Sequence, residues 1–199
     1  MGDLRACATT GCTSPPASLV AGEPEQQAYR IMIETKRLLL RPMSAEDADE
    51  LLLIFSDPRV MASFDDQLFD RSMMERWVPR NLAHQDTYGY GLFSVLLRDE
   101  EPVIGDCGLE HMDLEGVPEV ELGYDFRSDY LGRGLATEAA TAVRDFAFGE
   151  LGLTRLISLI RPSNAASIHV AERIGMVKES EIERGGHKYW VYARSQREA

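Results

Sequence analysis

The spacing of hydrophobic and polar positions changes several times along this chain, and each change predicts a new strand or helix. An apolar run predicts a first strand over residues 33–41. Ser44 and Asp47 then stand three residues apart, as in a helix-opening capping box, and the helix they open is predicted to stop before Asp57. A second helix is predicted over residues 71–82, where apolar residues recur at helical spacing: Met73, Met74, Trp77 and Val78.

The rest of the chain predicts a strand meander followed by alternating helices and strands. The meander has three predicted strands, over residues 91–98, 102–111 and 117–126. After it come a helix over 135–148, a buried strand over 154–160, a short helix, and two strands joined by the hairpin turn Gly185-Gly186. This order predicts an α/β fold with one domain over residues 31–199. Its core is a mixed, mostly antiparallel twisted sheet with helices on both faces.

Residues 1–30 show no such periodicity and are rich in small and polar residues, so we expect a disordered N-terminal extension. They have neither the charged start nor the apolar centre of a signal peptide. The three cysteines form no disulfide framework, and Cys107 lies in an apolar strand where it is expected to be a small core residue. These features favour a cytoplasmic protein.

The formal net charge of −12 argues against binding to nucleic acid or to an anionic membrane surface. No apolar run reaches the length of a transmembrane helix. The four histidines have no metal-ligand spacing, so no metal site is expected. An acidic surface is compatible with a cationic partner, but it also serves solubility. The length fits a single-domain monomer or homodimer.

The segment 129–138, Asp-Tyr-Leu-Gly-Arg-Gly-Leu-Ala-Thr-Glu, is the most informative part of the chain. Two glycines flank Arg133 directly after a predicted strand and before a predicted helix. Free backbone N–H groups and the positive end of a helix there favour a phosphate or pyrophosphate, although a plain strand-to-helix turn has the same pattern. The segment is neither a dinucleotide fingerprint, because Thr137 stands where a third glycine is needed, nor a P-loop.

A second segment, about thirty residues further on, gives the loop a context. Asn164-Ala-Ala-Ser167 follows the predicted buried strand and precedes Gly175-Met176. Together with the glycine loop and the strand segment Glu-Leu-Gly-Tyr over residues 121–124, these residues resemble the GCN5-related N-acetyltransferase (GNAT) superfamily. The resemblance is to its branch of ribosomal-protein N-terminal acetyltransferases. It covers roughly residues 33–195, with three motifs in the family's order.

Two positions depart from the family pattern. The family's acyl-CoA loop often begins with Gln or Arg, where this chain has Asp129. Many relatives also carry a tyrosine four residues before the final glycine, which resembles an acid that protonates the leaving thiolate. Here that position is Ala171, so a tyrosine acid at this site is excluded.

The resemblance implies an enzyme that takes acetyl-CoA as co-substrate and transfers its acetyl group to a primary amine by direct attack on the thioester. That amine is a protein N-terminal α-amine or a small-molecule amine. The loop's amides would hold the pyrophosphate, with the Arg133 side chain near a terminal phosphate. The pantetheine arm would lie beside Leu122 and Gly123 and be bonded from the other side by Asn164, which could also be a helix-entry turn residue. The implied cofactor-binding loop residues are Gly132, Arg133, Gly134, Leu135, Ala136 and Thr137.

Glu121 and Ser167 are the candidate catalytic residues. Glu121 matches the family's strand glutamate and shares a strand face with Glu119. Because an α-amine has a pKa of about 7.7–8.0, a carboxylate acting through water would suffice as the base. Ser167 is available to donate a hydrogen bond to the CoA sulfur. The alternatives are a sheet-surface carboxylate and a helix-capping serine. Asp65 and Asp66 are expected to lie in the loop that borders the acceptor.

One other class of function fits the same pattern. A non-catalytic acyl-CoA-binding module would use the loop as a sensor, and Ala171 in place of tyrosine agrees with that alternative. Thiol release in the presence of acetyl-CoA and a panel of amines distinguishes the two. The sequence leaves the identity of the acceptor open.

Overall fold

The computed structural model describes residues 31–62 and 67–196. The predicted N-terminal extension, residues 1–30, and the predicted acceptor-loop residues Asp65 and Asp66 lie outside these ranges. The strands are β1 (Ile33–Glu34), β2 (Leu38–Pro42), β3 (Leu92–Leu97), β4 (Val103–Leu114), β5 (Val117–Phe126), β6 (Arg155–Ile160), β7 (Val177–Arg184) and β8 (His187–Ser195). The helices are α1 (Ala48–Phe55), α2 (Pro58–Met61), α3 (Arg71–Tyr88), α4 (Leu135–Gly149) and α5 (Ala165–Arg173).

The strands form one sheet in the order β1-β2-β3-β4-β5-β6-β8-β7. Neighbouring strands are antiparallel except β5 and β6, which are parallel and pair at a single register position, Glu121 with Ile157. The mixed, mostly antiparallel sheet predicted from the sequence is therefore confirmed. Its continuity is weakest between β5 and β6.

Helices cover both faces of the sheet, as predicted. The two-residue period of β3 shows the division, because Phe93 and Val95 pack into the core beneath α4, whereas Leu92 and Leu96 pack into the core beneath α1 and α3. The first core also takes residues of α5. Cys107 is fully buried in it, which confirms its expected place. No helix in the described residues is long and apolar enough to cross a membrane.

The N-terminal elements differ from the prediction in several ways. The predicted strand over 33–41 is two strands, because the chain turns back where the Thr35 N–H donates to the Leu38 carbonyl. The capping box is present, but it opens a 3₁₀ turn that leads into α1. The first helix, α1, ends at Phe55 and so stops before Asp57 as predicted, but Asp57 is also the N-cap of a short helix, α2, that was not predicted. The second predicted helix runs on from residue 82 to Tyr88, because its ending signal is the left-handed Gly89.

Candidate active site

The strands β5 and β6 part just after their single paired position, and side chains join them there. One carboxylate oxygen of Glu121 accepts the Leu159 N–H at 3.1 Å. The Ser158 hydroxyl donates to the Leu122 carbonyl at 2.7 Å. Beyond these two bonds a cavity of about 80 Å³ opens between the strands. Its lining includes Glu121, Leu122, Gly123, Tyr124, Ile160, Arg161, Asn164 and Ser167.

This cavity continues into a groove along the sheet. A second cavity of about 100 Å³ shares Tyr124, Asn164 and Ser167 with the first. A third, of about 400 Å³, shares Leu131 and Ala136 with the second and reaches the glycine loop. A larger cavity of about 550 Å³ lies beside α3 and β3 and shares no lining residue with these three. The groove therefore connects the predicted thioester position with the predicted phosphate position.

The glycine loop has the backbone that an anion site requires. Gly132 and Gly134 both have φ of 75°, in the left-handed region that favours glycine. Among the described atoms, none lies within 4 Å of a Cβ built on Gly132. Gly134 is the N-cap of α4 and supplies no capping side chain, so the N–H groups of the first turn have no partner in their own helix.

Arg133 points its guanidinium at an aromatic ring. Its Cζ lies 4.8 Å from the centre of the Tyr130 ring, and Arg127 lies over the same ring at 5.4 Å. Arg127 also forms an ion pair with Asp129, the residue that departs from the family loop. Two cationic side chains thus stand at the entrance to the loop.

Asn164 and Ser167 lie together at the start of α5. The Asn164 side chain is the N-cap of this helix and accepts the Ser167 N–H at 3.0 Å. The Tyr124 hydroxyl, from β5, donates to the Ser167 carbonyl at 3.0 Å. The backbone of Ser167 is therefore held on both sides, whereas capping of α5 is carried out by Asn164.

Four carboxylates share one face of β4 and β5. Glu110 lies opposite Glu121, Asp106 lies opposite Asp125, and the glycine pair Gly108 and Gly123 separates the two pairs. A Cβ built on Gly123 would have no described atom within 4 Å. The face is thus lined with acid and open at Gly123, whereas Gly108 is covered by the backbone of Gly91 and Leu92.

The environment changes the ionisation of these acids. Burial raises the pKa of Glu121 to about 7, although the bond from Leu159 acts in the opposite direction. Burial and neighbouring carboxylates raise the pKa of both Asp106 and Asp125. Asp106 is 1% exposed, and its Oδ2 has no hydrogen-bond partner among the described residues. Since adjacent buried carboxylates resist joint ionisation, this pair retains a proton more readily than ordinary aspartates do.

Glu119 behaves differently from Glu121. Although both lie on one strand face, the Glu119 carboxylate forms an ion pair with Arg155 at 3.0 Å. Arg155 is in turn paired with Glu179. The negative charge of Glu119 is therefore largely neutralised, unlike that of Glu121.

The histidines supply no metal site within the described ranges. His84 and His111 do come together, since His84 Nε2 accepts the His111 N–H at 2.9 Å. Burial lowers the pKa of both imidazoles. In residues 31–62 and 67–196, no group of three or more His, Cys, Asp and Glu side chains could hold a metal ion.

Sequence reasoning missed several residues at this site. Asp125 could have been placed on the face of Glu121 from the two-residue strand period. Tyr124 belongs to the strand motif over residues 121–124, but the motif does not indicate that its hydroxyl joins β5 to α5. Asp106 and Glu110 could not have been placed, because their positions depend on the register between β4 and β5.

Comparison with known proteins agrees with this geometry. A sequence model described as the acetyltransferase (GNAT) domain matches residues 37–177, which include the glycine loop, Glu121 and Ser167. The chain belongs to the GNAT acetyltransferase family. It is also 33% identical over 150 residues to the uncharacterized N-acetyltransferase p20 of Bacillus licheniformis, covering 73% of this chain and 82% of that protein. The present protein is therefore an N-acetyltransferase.

Solved GNAT structures have the same fold. An acetyltransferase from Agrobacterium tumefaciens strain C58 is 31% identical and superposes with a TM-score of 0.73, covering 92% of this chain and all of that chain. The ribosomal L7/L12 alpha-N-protein acetyltransferase RimL, solved with coenzyme A, has a TM-score of 0.68 at 20% identity and covers 83% of this chain and 98% of its own. At this level of identity, the similarity to RimL shows a shared fold and nothing more.

The raised pKa values of the paired acids Asp106 and Asp125 predict how the stability of the fold depends on pH. Because the pKa of Asp106 is raised on folding, its carboxyl binds protons more tightly in the folded state, and stability is lost as the pH rises above about 4. Asp106→Asn, which mimics the protonated acid, should raise the Tm at pH 8 by at least about 2 °C. The gain should shrink towards zero at pH 4.

Thermal melts at pH 4, 6 and 8 measure this effect. Asp86→Asn, at an exposed carboxylate of α3, is the control for the loss of one negative charge from the surface. A lower Tm for Asp106→Asn at pH 8 would show that the carboxylate is stabilising in its ionised form.

Proposed function

We propose that this protein transfers the acetyl group of acetyl-CoA to a primary amine that is cationic before it reacts. The groove from the uncapped start of α4 to the gap between β5 and β6 carries the proposal. An acyl-CoA is a long molecule with phosphates at one part and a thioester at its end. A groove with an anion site at one end and an acid-base pair at the other suits such a donor.

The glycine loop is the proposed site for the pyrophosphate. The N–H groups of Leu135, Ala136 and Thr137 form the first turn of α4 and are available to an anion. Gly132 and Gly134 leave the loop free of side chains that would hold a phosphate away. We assign Arg133 a position near a terminal phosphate, at the loop entrance it shares with Arg127.

The arm of the donor is proposed to lie in the groove between β5 and α5. Leu122 and Gly123 border the cavity on one side and Asn164 on the other. Because no strand of the described residues forms a ladder with β5 beyond Glu121 on this side, its edge is open to a peptide-like arm. A backbone N–H at this edge would bond the thioester oxygen, and loss of such a donor costs roughly 2.7–4 kcal/mol in comparable sites.

The reaction needs a proton acceptor for the amine and a hydrogen-bond donor for the leaving sulfur. When bound, acetyl-CoA supplies the thioester carbon that the amine nitrogen attacks, so that a C–N bond forms and the C–S bond breaks. The protonated amine loses two protons in all. Glu121, with a pKa of about 7, takes the first, directly or through water, which frees the nitrogen lone pair, and the second, released after the attack, goes to the sulfur, which leaves as the thiol. Ser167 donates its hydroxyl hydrogen bond to the sulfur as negative charge develops there.

The acidic face supports a cationic acceptor. Glu110, Glu121, Asp106 and Asp125 line one face of β4 and β5 around the open space at Gly123. Negative potential there attracts an ammonium group and raises its local concentration. Arg80 pairs with Glu110 at 3.1 Å and weakens this potential, and so do the protons that the raised pKa values of Glu121, Asp106 and Asp125 favour. The attraction of a cation should therefore grow as the pH rises.

Purified protein, acetyl-CoA and a panel of amines test the function as a whole. The panel holds N-terminal peptides, polyamines, aminoglycosides, and neutral and anionic amines, and the readout is free thiol. Thiol release with cationic amines is the expected result. CoA binding without release for any amine would instead indicate the sensor module.

Gly134→Asp should abolish acetyl-CoA binding. A side chain at a left-handed φ strains the loop, and the added charge repels the phosphates. Calorimetry with CoA measures the loss. Gly116→Asp is the matched control, because Gly116 has φ of 88° in the turn before β5 and no described atom within 4 Å of its built Cβ. Unchanged affinity in a folded Gly134→Asp protein would remove the loop as the cofactor site.

Glu121→Gln should lower kcat/KM by about a hundredfold at pH 7, as expected for loss of a general base. Glutamine still accepts the Leu159 N–H, so the strand junction stays intact. The deficit should shrink towards pH 9, because more of the amine is then unprotonated. Glu119→Gln, at the carboxylate paired with Arg155, is the control and should keep the original profile. Parallel profiles for Glu121→Gln and the unmodified enzyme would exclude Glu121 from the mechanism.

Ser167→Ala should lower kcat with little change in the affinity for acetyl-CoA. The backbone bonds to Asn164 and Tyr124 do not involve the hydroxyl, so the melting temperature should stay constant. Steady-state kinetics and a thermal melt measure both quantities, with Ser163→Ala in the preceding turn as control. A lower melting temperature with unchanged kcat would leave a structural role as the only one for Ser167.

A further inference from the structure

The turn between β1 and β2 packs against the first turn of α4. Glu138, in the first turn of α4, is the centre of the contact. Its Oε1 accepts the Thr35 hydroxyl at 2.6 Å and the Arg37 backbone N–H at 2.9 Å. Its Oε2 accepts Nε of Arg37 at 2.7 Å. A segment about a hundred residues away in sequence is thereby fixed to the start of this helix.

The same guanidinium also holds the glycine loop. Nη1 of Arg37 donates to the carbonyl of Arg133 at 2.9 Å. Nη2 lies 3.8 Å from the position that a Cβ on Gly134 would take. Arg37 therefore links the helix start to the peptide between the two left-handed glycines.

This contact determines where one loop amide points. The peptide that joins Arg133 to Gly134 is planar and trans, so its carbonyl oxygen and its N–H point in opposite directions. When Arg37 fixes the carbonyl on its own side, the Gly134 N–H is directed to the other side. The partial negative charge of the carbonyl is held away from an anion that this N–H would bind.

Arg37 also changes the charge at the helix start. Glu138 has a side chain only 20% exposed and lies within one turn of the proposed phosphate site. Although partial burial would raise its pKa, hydrogen bonds from Thr35 and Arg37 outweigh this and hold the pKa below its usual value. The carboxylate is therefore ionised, and without Arg37 it would repel a phosphate.

We propose that Arg37 is a positioning residue for the diphosphate of the acyl donor, acting by orientation of the Arg133–Gly134 peptide and by neutralisation of Glu138. The inference rests on the proposed function, since it assigns a new component to the same anion site. It predicts that Arg37 affects donors that carry a diphosphate and has no effect on donors that lack one.

Steady-state kinetics with two thioesters test the proposal. Acetyl-CoA carries the diphosphate, and S-acetylpantetheine has the same reacting end without it. Arg37→Ala should raise the KM for acetyl-CoA about tenfold or more, which corresponds to about 1.4 kcal/mol, and leave kcat within about twofold. The KM for S-acetylpantetheine should not change.

Arg98→Ala is the matched control. Arg98 holds the same turn through the Thr35 carbonyl at 3.0 Å and forms an ion pair with Glu34, with no bond to Glu138 or to the glycine loop among the described contacts. If the turn acts only through general stability, both arginine variants should raise the KM of both donors alike. That result would overturn the proposal.

Substitution of Glu138 gives an independent test of the same proposal. Adding Glu138→Gln to Arg37→Ala removes the unpaired carboxylate and should recover part of the affinity for acetyl-CoA. Glu138→Gln alone presents an amide N–H₂ to Nε of Arg37 and should weaken binding by itself, so the two changes should be strongly non-additive. Additive effects would overturn the neutralisation of Glu138 by Arg37.

The two proposals fail in different ways. If calorimetry detects no CoA binding by the unmodified protein, the proposed function is wrong. If the unmodified protein binds CoA and the Arg37→Ala protein, folded by its thermal melt, keeps the original KM, Arg37 is not a positioning residue. An Arg37→Ala protein that does not fold is replaced by Arg37→Lys, whose single ammonium cannot bridge Glu138 and the Arg133 carbonyl together and should show the same selective rise in KM.

Discussion

The parallel pairing of β5 with β6 is the constraint on which the rest of this structure depends. Parallel neighbours need a crossover connection, and here it is α4. The chain therefore leaves the carboxyl end of β5, turns through the glycine loop and enters α4 at that end of the sheet. The chain leaves β6 at the same end and enters α5. Two helix starts and the gap between two strands are thus brought together by topology, before any side chain is considered.

A gap inside a sheet leaves backbone groups that must be satisfied in another way. Glu121 and Ser158 supply two of the missing partners, by accepting from Leu159 and donating to Leu122. The same position that closes the sheet raises the pKa of Glu121 to about 7 through burial. The Glu121 carboxylate therefore both supports the sheet and has the pKa of a candidate base. A glutamate that only supported the sheet could be replaced by glutamine without loss of function, which a base could not.

Local sequence patterns were sufficient to predict the strands and helices around the site. The residues Val117–Phe126 form β5 as predicted, and the glycine loop precedes α4 as predicted, because strand period and glycine position are encoded within a few residues. The stop before Asp57 was predicted correctly, but the short helix α2 was missed, because the same aspartate-proline pair can follow one helix and begin another. The roles of Arg37 and Asp106 could not be predicted. Arg37 meets Glu138 across a hundred residues, and Asp106 meets Asp125 only through the register of β4 and β5.

The separation of charge across the sheet explains how so acidic a chain could serve the proposed anionic donor. Leu122 and Tyr124 face the core of α4, whereas Glu121 and Asp125 alternate with them towards α2 and α3. The carboxylates that would attract an ammonium group thus lie on the other face from α4 and α5. Near the loop, the acid of the first helical turn is neutralised by Arg37, and Arg127 and Arg133 stand at the entrance. Net charge alone would argue against phosphate binding. Because side chains alternate between the two faces of the strand, the proposed amine meets negative potential on one face and the proposed diphosphate meets positive potential near the loop. A protonated amine and a diphosphate could then approach the same gap from opposite faces.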